Sequence, residues 1–231
     1  AISKEIHVIK TSRALVVAAA TSVLALTSGA AHAQSYSHVD AVGDMYDDAG
    51  VAVPTATNGD VTNVSINYTK KSLTVTMTFT DLDATGLNSA AGGIAVINPR
   101  TKKMYVASAI ARADGQERFF ARTKGKAGCK KMMSSVDTTL NTVTIALPKR
   151  CVDSSKRVVV IAGGGSWDGS VNAAGDEVMI SDDALMDGFT EMGGFSPVIA
   201  KGGTGVIVDS MTRSAARTSL HKALRAAFAS R

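Results

Sequence analysis

Over residues 63–68 and again over 73–80 the chain alternates strictly between polar and apolar side chains, and these two stretches limit the fold more than any other. Val64, Ile66 and Tyr68 interleave with Asn63, Ser65 and Asn67. After Thr69-Lys70-Lys71-Ser72, the apolar Leu73, Val75, Met77 and Phe79 interleave with threonines. A side-chain period of two belongs to a strand and not to a helix. Pairing Tyr68 with Leu73, Ile66 with Val75 and Val64 with Met77 puts every apolar residue on one face. The segment is therefore a hairpin with one buried and one wet side, and its buried side requires a second apolar layer.

The rest of the chain supplies that layer. Residues 94–97 and 104–110 form a second apolar hairpin around the turn Asn98-Pro99-Arg100-Thr101-Lys102, and Phe119-Phe120 belong to a further strand. Residues 132–136 and Val143, Ile145 and Leu147 form a third hairpin, with 137–142 as its turn. Extending the pairing of Val136 with Val143 outward brings Cys129 and Cys151 opposite each other to within one residue. A disulfide there, with Cα atoms about 5.5 Å apart, is sterically feasible and stabilises by about 3 kcal/mol. The β-branched run 158–162 reads as a central strand that Gly163-Gly164-Gly165 ends. Residues 169–203 read mainly as loops, with short strands at 177–180 and, just beyond them, 205–208. Short strands with frequent turns and no helix of normal length between 34 and 209 define an all-β chain, an antiparallel β-sandwich of immunoglobulin or jelly-roll-like architecture.

The two ends differ from this body. Lys4, Lys10 and Arg13 precede an apolar run at 14–26 and the A-x-A site Ala31-His32-Ala33, which reads as a signal peptide over 1–33. Export to an oxidising compartment agrees with a lone cysteine pair, and the localisation expected is secreted or extracellular. Residues 210–231 form a basic tail in which Arg213, Arg217, His221 and Arg225 recur every fourth residue beside Ala216, Leu220, Leu224 and Ala227, the pattern of a short amphipathic helix. The tail reads as a solvated terminal helix, with contact to an acidic surface as the alternative. The formal charge of +5 resides in these ends, because residues 34–209 carry 17 Lys and Arg against 19 Asp and Glu. Nucleic-acid binding by the 34–209 domain as a whole therefore loses its electrostatic basis.

No constellation for catalysis emerges. Ser166 in Gly164-Gly165-Ser166-Trp167-Asp168 misses the nucleophile elbow because Asp168 stands where glycine is required, and the mature chain offers only His38 and His221 as bases. The acidic pairs Asp81 with Asp83, Asp176 with Glu177 and Asp182 with Asp183 leave a carboxylate-based hydrolase as one alternative function. Calcium, which accepts six to eight loop oxygens, is the cation these residues suit best, with Asp40, Asp44, Asp182 and Asp183 as the ligand set if the ends of the domain meet. Trp167 and Asp168, after the glycine run, are the candidates for lining a ligand groove, with Trp167 capping the core as the competing reading. No other cofactor is called for.

The start Asp40-Ala41-Val42-Gly43-Asp44, Gly59-Asp60-Val61 before the alternating hairpin, Leu147-Pro148-Lys149-Arg150-Cys151 after a strand, and Asp182-Asp183-Ala184 before a loop rich in phenylalanine and glycine resemble a group of exported bacterial proteins of unassigned function. Their domain is similar to the DOMON and CBM9-like β-sandwiches, over residues 40 to about 203. The resemblance implies a two-sheet fold, and in the wider fold sugar or haem ligands. The expectation for this chain is a non-catalytic module for extracellular binding or structure, with an extracellular glycan or an envelope component as partner. A CBM9-like carbohydrate-binding domain is the other alternative.

Overall fold

The computed structural model describes residues 34–122, 128–172, 175, 177–185, 196 and 199–200. The expected signal peptide, the 205–208 strand and the basic tail lie outside the described residues. Two antiparallel sheets make up the fold. The first runs in the order β1 (Gln34–Val39), β2 (Val61–Tyr68), β3 (Ser72–Phe79), β8 (Thr142–Pro148), β7 (Met133–Asp137). The second runs β10 (Ile180–Asp182), β9 (Arg157–Trp167), β4 (Ser89–Ile97), β5 (Met104–Arg112), β6 (Gly115–Arg122), and β11 (Ile199–Ala200) joins the free side of β9.

The β2–β3 register is the one the alternation dictates: Tyr68 faces Leu73, Ile66 faces Val75 and Val64 faces Met77. These side chains are fully buried in a cluster shared with Ile94, Val96, Tyr105, Val143, Ile145, Val158 and Val160, so both sheets contribute to one core. Val136 faces Val143, and the Cys129–Cys151 disulfide closes this corner with a Cα–Cα distance of 5.6 Å. Cys151 lies on a 3-10 turn, Lys149–Val152, that follows β8.

The central strands β4, β5 and β9 of the second sheet are buried on both faces. Residues of even number in β4 face the shared core, while Ala91, Ala95 and Ile97 join Val106, Ile110, Val159, Ile161 and Trp167 in a separate cluster on the other side. This is why 158–162 carries no polar alternation. At the corner where β6 meets β7, Gln116 replaces a missing strand: its amide donates to Val136 O at 2.5 Å and its oxygen accepts from Val136 N–H at 3.1 Å.

Three elements differ from the sequence reading. Gly163-Gly164-Gly165 does not end the central strand, which continues to Trp167. The glycines are needed because a Cβ on Gly164 would stand 2.1 Å from Gly59 O and 2.7 Å from the Phe79 ring, so the 59–61 backbone lies directly on β9. Strand β4 begins at Ser89, earlier than the apolar signal at Ile94, through an Ala-Ala-Gly-Gly stretch that pairs with those same glycines. The short strand expected at 177–180 is found at Ile180–Asp182, and Glu177 instead forms an isolated bridge with Val171.

Candidate cation site

The close approach of residues 59–61 to β9 positions a group of buried acids. Asp182 lies on β10 opposite Gly164, and its carboxylate accepts the Val61 amide at 2.7 Å. Asp40 follows β1, fixed by its own amide on Thr62 O at 3.1 Å. Asp44 lies three residues past Ala41 on the segment that crosses this end of the sheets, and that segment is tied to β10 by the Tyr46 and Ser181 backbone pair. One carboxylate oxygen from each of Asp40, Asp44 and Asp182 lies within 4.8 Å of the others. All three residues are buried.

Two further acids border this triad. Asp183 is buried and near enough to bear electrostatically on Asp40 and Asp182. Asp60 is wholly inaccessible and acts as an internal anchor, accepting the Gly43 amide at 3.2 Å and the Thr80 hydroxyl at 2.7 Å. Sequence reasoning places Asp60 only in the Gly59-Asp60-Val61 motif before the alternating hairpin and gives it no ligand role. Its neighbour Gly59, with φ of +87°, is the sign that this turn is pressed against something.

Electrostatically the triad is unfavourable to bare carboxylates. Burial first, then Asp182 and Asp44, push the Asp40 carboxyl up to about 9, against one opposing hydrogen bond from the Ala41 amide. Burial also raises Asp182 well above the usual carboxylate range, despite the Val61 amide. Asp40 is 5% exposed, and its Oδ2 accepts no hydrogen bond among the described residues. A buried acceptor without a donor costs about 1–3 kcal/mol. Either a proton or a cation relieves it. Calcium holds its oxygens at 2.3–2.6 Å, so ligands of one ion are about 5 Å apart at most, a spacing that the triad meets.

Of the four acids expected to share a cation, the structure brings Asp40, Asp44 and Asp182 into one ligand-sized group and leaves Asp183 beside it. The expected groove is not formed by its two candidates. Trp167 is 6% exposed, packs in the second apolar cluster and donates its indole N–H to Ser170 O at 3.2 Å, so it offers no ring face to a sugar. Asp168 is exposed, and its bonds to Ser170 hold its carboxyl below the usual range. Ser166 is buried inside β9 with partners on both sides, not on a turn where a nucleophile is presented.

Among the acidic pairs, Asp83 lines an open cleft of about 970 Å³ with Asp81 and Asp114. Its carboxylate is committed to the Thr85 amide and hydroxyl and to the Asn88 amide, and these bonds hold it below the usual range. A general acid requires the opposite shift. Asp176 lies outside the described residues.

No helix among the described residues is long and apolar enough to cross a membrane. The chain matches no family model, no curated protein and no solved structure.

Proposed function

We propose that this chain is an exported, non-catalytic β-sandwich module for extracellular binding or structure, whose N-terminal segment is fastened to the sheets by one calcium ion held by Asp40, Asp44 and Asp182. The observation that carries the cation is the buried Asp40 carboxylate with an unmatched oxygen inside a ligand-sized triad. The acids come from residues 40–44 and from β10, far apart in sequence. A shared ion therefore cross-links the start of the domain to the edge of the second sheet. Binding energy of that kind is folding energy, which suits a structural site. The disulfide supports an oxidising location, and the alternating hairpins support a sandwich of the immunoglobulin or jelly-roll type.

The test is a titration of calcium, and separately of magnesium, into chelator-treated protein near neutral pH while thermal unfolding is followed. Extracellular calcium sites bind with Kd values of about 0.1–1 mM. Calcium in that range should raise the melting temperature of the native protein and leave an Asp44→Asn, Asp182→Asn double variant unmoved. A native melting temperature that ignores calcium at about ten times that concentration rejects the site.

A further inference from the structure

The near-neutral body conceals a sorting of charge between its two ends. At the end opposite the acids, the β4–β5 turn and the start of β9 bound a cleft of about 860 Å³. Arg100 and Lys103 reach it from the turn, Lys156 from the bend before β9, and Arg157 from the first position of that strand. Its one acid, Asp153, is neutralised by Lys103 at 2.8 Å. The first sheet adds more positive charge beside it. Lys70 and Lys71 occupy the β2–β3 turn, the Lys149 amide donates to Lys71 O, and Arg150 follows. Tyr68 joins the two sheets at this end through its hydroxyl, which donates to Ser155 O at 2.6 Å. With Lys102, these turns present nine Lys and Arg against Asp153 alone.

The cleft has a fixed frame. Asn98, nearly inaccessible, accepts the Arg100 and Thr101 amides on its side-chain oxygen at 3.0 and 3.2 Å. Asp153 and Ser154 both hold left-handed backbone conformations, φ 51° each. Cations on a preformed concave surface bind fixed anions with less ordering cost than cations on mobile loops.

We infer that this basic end binds an acidic polysaccharide, a sugar polymer carrying carboxylate or sulfate groups. Arg and Lys match the anionic groups, and the exposed Thr101 and Ser154 offer hydroxyls to hydrogen-bond a sugar. A membrane is the poorer fit. Of the exposed large apolar side chains among the described residues, Val39, Val42, Val51, Leu87, Leu140 and Val171 all lie elsewhere, and Met133 is on the edge strand β7, not on these turns. Single-stranded nucleic acid needs aromatic platforms for its bases, and none of the described residues that line the cleft is aromatic.

The experiment measures binding of the full chain to polygalacturonate and to dextran sulfate, with neutral dextran as control, in chelator so that the cation site plays no part. Arg100→Ala with Arg157→Ala removes two charges from the cleft, and Thr138→Glu with Leu140→Glu changes net charge equally at the far, exposed β7–β8 turn. The native protein should bind both acidic polymers and not neutral dextran, more weakly as salt rises. The cleft variant should lose about tenfold or more in affinity, and the far variant about twofold at most. Unchanged melting temperatures confirm that both variants fold. Absence of binding at low salt, or equal losses in the two variants, overturns the inference. Tighter binding to anionic vesicles or single-stranded DNA, lost in the cleft variant, overturns the choice of partner.

Discussion

Asp40→Asn should stabilise or destabilise this protein according to whether calcium is present. The substitution removes one charge and keeps the acceptor for the Ala41 amide. Without a cation, the folded state holds the Asp40 proton up to about pH 9, whereas the unfolded chain releases it near 3.8. The folded state thus carries the extra proton between those values. The associated stability is fully present below about pH 4 and drains away as pH rises toward 9. Each pH unit in that window costs at most about 1.4 kcal/mol, so going from pH 5 to pH 7 costs at most about 2.7 kcal/mol. Solvent screening reduces this to roughly 1–2 kcal/mol, or about 2–8 °C in melting temperature for a chain of this size. The substituted carboxamide cannot ionise, so in chelator the variant should melt higher than the native protein near pH 7 and show a shallower pH slope. Asp182, also raised, retains part of the slope. In calcium at about one hundred times its Kd the native protein gains about 2.7 kcal/mol, the variant gains far less, and the order reverses. Circular dichroism melts at several pH values, with and without calcium, provide the readout. A native melting temperature in chelator that stays flat or climbs from about pH 5 to about pH 8 refutes the electrostatic account, and a variant that gains as much from calcium as the native protein refutes the ligand role.

Gly164→Ala places a methyl group 2.1 Å from Gly59 O, against backbone that cannot rotate away. Urea unfolding should show a loss of at least about 2 kcal/mol, and a neutral result means that residues 59–61 do not lie on β9. Replacing Cys129 and Cys151 together with serine should cost about 3 kcal/mol, with reduced native protein matching the double variant in the same assay. A larger effect of reductant on the native protein than of the substitutions is incompatible with a single bridge.

The parts of the fold legible in the sequence are those whose strands carry alternating or β-branched side chains. Residues 64–79 and 132–147 specify their own register because a slip of one residue would turn Ile66, Val75 or Val143 toward water. Strand β4 is legible only from Ile94, since Ala90, Ala91, Gly92 and Gly93 carry no strand preference of their own. They are strand because β5 and β9 flank them. The glycine run resembles a stop for the same reason: its purpose depends on the 59–61 backbone, about one hundred residues distant in sequence. The acid triad is half legible. Asp40, Asp44 and Asp182 stand out as carboxylates, but their meeting depends on the β9–β10 pairing together with the Asp40–Thr62 and Tyr46–Ser181 backbone bonds. Asp60, whose side chain the sequence cannot distinguish from a hydrated turn residue, is the most deeply enclosed of them.

The Gln116 side chain also decides what the border of the first sheet offers to a neighbouring molecule. The outward amide and carbonyl of Val136 are where a stray strand from a neighbouring molecule would attach, and one carboxamide already occupies both, while Arg118 covers Met132 O a few residues away. Two side chains thereby deny fibril-like growth a seed along this border, without closing the sheets into a barrel.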